Sequence, residues 1–110
     1  MATESAYVMA TRVDGDVTRI LSSVDLHEQD IKVRSKVHIL KQELTEARTE
    51  IRDFELAETR IEQQKVGVQT RNRLAEIEKH ILMLSQYNIF NPIEVAELSA
   101  RIDMLRQELV

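Results

Sequence analysis

Between residues 33 and 54, apolar side chains recur at alternating steps of four and three: Val33, Val37, Leu40, Leu44, Ala47, Ile51 and Phe54. That spacing keeps every one of them on a single face of an α-helix and leaves the other faces polar. It is the pattern of a seam that packs lengthwise against another helix, not the strict alternation of a strand. Ile61 resumes the spacing after a gap filled by Glu58. The stripe therefore predicts a helix over about 16–65. Glu58, and Lys65 beyond it, would be polar seam positions that set register at some cost in stability.

Upstream, Val17, Ile20, Val24 and Ile31 form a shorter stripe with His27 in its seam, one residue out of phase with the first. Local overwinding of one continuous helix, capped by Asp14 or Asp16, accounts for the slip. Asp25 and Glu28 have capping-box spacing and mark the place where a break would otherwise fall, at 23–26. Residues 1–12 show no period beyond the apolar island "AYVMA" and read as a tail; residues 13–110 read as one helical coiled-coil domain.

After Ile61 the phase is lost again. Leu74, Ile77, Ile81 and Leu84 define a new stripe. A turn at "KVGVQT" absorbs the change, with Gly67 just past a helix end, and a second helix spans about 70–87. The alternative is a helix that runs through Gly67, at a cost of about 1 kcal/mol. "YNIFNPIEVAEL" is the sharpest boundary. Asn91 is placed as N-cap, Pro92 as first helical residue, Glu94 as the reciprocal capping partner and Phe90 as a staple onto Val95. A helix over 92–109 follows, with Val95, Leu98, Ile102, Leu105 and Leu109 on one face.

Composition supports an all-α fold. Two Gly and one Pro in 110 residues leave few breaks, and 31% charged residues suit long solvated helices. Aromatics are only 4%, less bulk than a compact core of this size usually carries, so elongation or self-association is expected. Charge suggests the pairing. Residues 43–62 and 94–108 are acidic on balance, 65–80 basic, and 32–41 holds Lys32, Arg34, Lys36 and Lys41 without an acid. Reversal at Gly67 would set 71–79 beside 55–63, and 94–108 beside 26–40. The result is a long helical hairpin, an antiparallel coiled coil. Leu56, Val66, Ile93, Met104 and the all-round apolar "ILML" at 81–84 lie outside a single seam. Hairpins are therefore expected to pair into a dimeric helical bundle; a parallel dimer of uninterrupted helices is the alternative. The oligomer or partner seam comprises Val37, Leu40, Leu44, Ile51, Phe54, Ile61, Leu74, Ile77, Ile81, Leu84, Leu98, Ile102 and Leu105.

The reactive-residue patterns of enzymes are missing. There is no Gly-rich phosphate loop, Gly-x-Ser-x-Gly elbow or His-Glu-x-x-His, and the acids scatter at helix-surface spacing. Zero Cys excludes disulfides and thiolate metal sites. Glu76 and His80 share a helix face, but a metal needs three or four ligands and no Glu-x-x-His motif exists, so the pair reads as a surface contact. His27, if buried, would make assembly pH-sensitive. No cofactor is expected.

The expected function is a non-enzymatic coiled-coil module. It oligomerises with itself as a homodimer and holds another protein through a helix face, as an adaptor, small chaperone or assembly subunit. A small regulator contacting nucleic acid through 32–41 is the alternative. A net charge of −4 argues against it, and those cations are expected to pair with acids instead. The start of the chain lacks a signal-peptide pattern and no apolar run reaches the roughly 20 residues of a membrane span, so a cytoplasmic location with no membrane partner is expected.

Overall fold

The computed structural model describes residues 5–110. Four α-helices account for most of them: α1 (Ala6–Ser22), α2 (Ile31–Leu56), α3 (Arg60–Ser85) and α4 (Pro92–Glu108), with a short 3₁₀ turn at Leu26–Glu28. Each helix packs on two others, α2 on α1 and α3, α4 on α3 and α1. Tyr7 meets Glu55 and Asp14 meets Arg48, while Glu50 meets Arg73 and Glu43 meets His80. Sequence neighbours therefore run antiparallel, and α4 closes the ring through Arg101 and Asp16. The result is an up-down-up-down four-helix bundle measuring 47 × 29 × 18 Å, not a two-armed hairpin.

Where the boundaries differ from the sequence expectation, local chemistry explains why. The first helix begins ten residues before the expected start near 16, within the stretch read as a tail, because the Ser5 side chain accepts the Val8 N–H at 3.2 Å and caps it. "AYVMA" is its first turn, and Ala6 and Ala10 are buried. Residues 1–4 of the expected tail lie outside the described residues. Asp14 and Asp16 cap nothing; they are mid-helix and bind Arg48 and Arg101. The continuous helix across 23–30 is replaced by a break. Asp25 accepts the His27 N–H at 3.0 Å, and Asp30 accepts the Lys32 N–H at 2.9 Å to start α2. A loop, not overwinding, absorbs the phase slip. Ile31 and His27 are consequently exposed.

The stripe from Val33 to Phe54 is buried throughout. α2 then stops at Leu56, and Thr59 caps α3 by accepting the Glu62 N–H at 3.2 Å. Glu58 sits in this turn, and Ile61 is 69% exposed on the first turn of α3. Neither Glu58 nor the exposed Lys65 is a seam position. α3 runs straight through Gly67, which is buried. A Cβ there would lie 2.6 Å from the Leu109 carbonyl oxygen and 3.1 Å from the Phe54 ring. This glycine permits close approach of α2, α3 and the end of α4; it does not stop a helix.

Moving the turn from 67 to 57–59 changes the charge register. Basic 71–79 meets 43–50 instead of 55–63, and acidic 94–108 lies along α1 and α3 instead of 26–40. The end of α3 is a Schellman motif. Asn88 takes the left-handed conformation at φ 61°, the Ile89 N–H reaches the Leu84 carbonyl and the Asn88 N–H reaches that of Ser85. α4 opens with the capping box expected from sequence: Glu94 N–H to Asn91 at 2.8 Å and Asn91 N–H to Glu94 at 2.9 Å, with Pro92 in the first turn.

The core joins Val13, Val17 and Leu21 of α1 to Val37, Leu40, Leu44, Ile51 and Phe54 of α2. It continues through Leu74, Ile77, Ile81 and Leu84 of α3 to Leu98, Ile102 and Leu105 of α4. Apart from Ile61, every residue assigned to an association seam is thus covered by the chain's own helices. Contact between copies must call on other side chains.

Candidate interaction surface

Two sets of polar contacts fasten the helices to one another. On the α1–α2 side, the Tyr7 backbone N–H donates to Glu55 at 2.7 Å. Arg48 donates to Asp14 at 2.9 Å and to the Tyr7 hydroxyl at 3.3 Å. The Arg48 and Arg52 guanidinium carbons stand 5.6 and 5.3 Å from the Tyr7 ring centre, within cation–π range. The hydrogen bond and charge of Arg48 hold the Tyr7 phenol below its ordinary pKa of 10.0, and Tyr7 with Asp14 raises that of Arg48.

On the α2–α3 side, Arg73 binds Glu46 and Glu50, and the buried Thr70 hydroxyl lies 2.8 Å from the Val66 carbonyl and 3.1 Å from Glu50. His80 Nδ1 faces Glu43 at 2.6 Å, across to α2 and not along its own helix to Glu76. His27 is exposed on the loop, so it cannot serve as a buried titrating seam residue. No group of three His, Asp or Glu that could hold a metal occurs among the described residues.

The basic segment points outward. Lys32, Arg34 and Lys41 are exposed and Lys36 partly so; contrary to the sequence expectation, none makes an ion pair among the described residues. Exposed Ile31 and Ile39 share this region and line a shallow depression of about 430 Å³ with Arg34, Ser35 and His38.

An apolar outer surface centres on α4. Its inner side supplies Leu98, Ile102 and Leu105 to the core. Its outer side carries Ile93 (71% exposed), Ala96, Ala100 and Met104 (58% exposed), spaced so that all four share one face. On one flank, α1 and α4 enclose a groove of about 620 Å³ lined by Met9, Arg12, Gly15, Asp16, Arg101 and Met104. On the other, the exposed Leu82 of α3 joins Phe90, Pro92, Val95 and Ala96 around a depression of about 470 Å³.

Ile93 and Met104 were visible in the sequence as apolar residues beside the seam. Gly15 becomes informative only once α1 is seen to start at Ala6, which makes it a glycine at mid-helix. No protein-family model matches the chain, and no curated protein or solved structure matches it at significant similarity. No helix among the described residues is long and apolar enough to cross a membrane.

Proposed function

We propose that this chain is a non-enzymatic protein-interaction module that associates with itself and presents helix faces to partners, as an adaptor or assembly subunit does. One observation carries the reading: on the side that its own bundle leaves uncovered, α4 carries a continuous apolar stripe of Ile93, Ala96, Ala100 and Met104, flanked by Glu97 and Asp103. A surface helix normally sets charged residues there, and contiguous exposed apolar side chains mark sites of association. The mechanism is burial of a helix face, with methionines at the groove adapting to the incoming surface. Light scattering over a concentration series tests it. A mass of twice the 12.8 kDa chain, falling towards one chain on dilution, is expected; a single-chain mass at all concentrations contradicts self-association.

The unpaired cations of 32–41 favour a second reading, contact with nucleic acid along α2. Its signature would be retention on mixed-sequence DNA at about 50 mM salt that disappears by about 200 mM, since phosphate contacts are lost steeply as salt rises. No retention at low salt rules it out.

A further inference from the structure

We propose that the second copy docks by inserting its Ile93 into the α1–α4 groove, with the two α4 helices antiparallel about a two-fold axis. The inference rests on the self-association reading and names the surface that performs it. The knob and the groove lie on the same helix: Ile93 projects at the start of α4, and Met104 lines the groove about three turns later. A chain cannot fold its own Ile93 into that groove. An antiparallel neighbour can, and a two-fold operator then fills both grooves at once, as an isologous interface requires.

Gly15 supplies an independent reason. Glycine inside a helix destabilises it relative to alanine, so a mid-helix glycine needs a cause. Gly67 has one in the Leu109 carbonyl, but a Cβ at Gly15 would meet nothing within 4 Å, and its φ is not positive. Nothing within the bundle explains it. The docked arrangement does. Asp16 binds Arg101, which sets the level of α1 against α4. If the partner's Ile93 sits beside Met104, it enters the groove within about 3 Å of the level of Gly15, at 1.5 Å rise per residue, and the missing Cβ leaves room for it. The same register places the exposed Glu97 beside Arg101 of the partner subunit, and the reverse, so the pairing is charge-matched across the axis.

The experiment measures dimer dissociation by sedimentation, with circular dichroism as the check on folding. Ile93→Glu and Met104→Glu are expected to weaken the dimer at least about tenfold while leaving helicity intact. Ile61→Glu, exposed near the α2–α3 turn, should leave it unchanged. The chain has no cysteine, so introduced thiols report proximity without background. The double variant Gly15→Cys with Ile93→Cys should oxidise to a covalent dimer, whereas each single variant should not. Within one chain the two positions are offset by about 14 Å along the bundle, at 1.5 Å rise per residue, so they cannot bridge internally. A dimer indifferent to Ile93→Glu and Met104→Glu, or a double-cysteine variant that stays uncrosslinked, overturns this interface and leaves self-association standing. A monomeric wild type overturns both.

Discussion

Gly67 and Gly15 are chemically identical residues with opposite surroundings, and the contrast yields a sharp pair of predictions. At Gly67 an added methyl would collide with a backbone carbonyl at 2.6 Å. Gly67→Ala should therefore lose about 1–3 kcal/mol of stability, as overpacking does, despite alanine's better helix propensity. At Gly15 space is open. In the Ile93→Glu background, where the proposed association is removed, Gly15→Ala should gain about 0.5–1 kcal/mol. Urea unfolding measures both, and two shifts of the same sign would contradict the packing described. The sequence shows a glycine but not what stands over it, which is why Gly67 reads as a helix stop. Tyr7 provides a pH test. Arg48 holds its phenol below 10.0 in the folded chain, so the unfolded chain keeps the phenolic proton to higher pH. Stability from this group is then gained as pH rises through the folded value towards 10, and is absent well below it. The stability of wild type minus that of Tyr7→Phe should grow in favour of wild type over that interval; a flat difference would contradict the Arg48 contact.

At the scale of helices, what was legible followed from periodicity and strong caps. The buried faces of α2, α3 and α4 appear in sequence as Val33–Phe54, Leu74–Leu84 and Leu98–Leu109, and Asn91-Pro92 marks a start by chemistry that has few other uses. The α2–α3 turn was hidden because Ala57, Glu58 and Thr59 contain neither Gly nor Pro, while Ile61 happens to continue the 3-4 spacing. Its exposure separates the bundle from a hairpin hinged at Gly67. Ile61→Gln should change stability by no more than about 0.5 kcal/mol, as surface substitutions do. Ile51→Ala, at a fully buried site, should cost about 2–5 kcal/mol. Comparable losses at the two positions would place Ile61 in a seam after all. The α1–α4 groove was illegible for a related reason. It depends on α1 starting at Ala6, and the first buried positions of that helix, Ala6 and Ala10, are too small to mark a stripe in sequence.

For the molecule as a whole, the position of one turn decides everything outside the core. A reversal at 57–59 leaves enough chain for four antiparallel helices, which cover the apolar seam without help and leave the outer face of α4 as surplus. A reversal at 67 would make two long arms that need a second copy to bury that seam. Charge does not discriminate, because each exposed ion pair contributes at most about 1 kcal/mol and both registers set basic 71–79 against acids. Backbone protection does discriminate. Amide hydrogen exchange under native conditions should find the Ala57–Glu58 turn exchanging rapidly, while the amides of 67–70, inside α3 and beside the buried Phe54 and Leu109, are protected almost to the level of global unfolding. Rapid exchange at 67–70 with protection across 57–59 would contradict the closed bundle, and with it the groove and the α4 face that the proposed association uses.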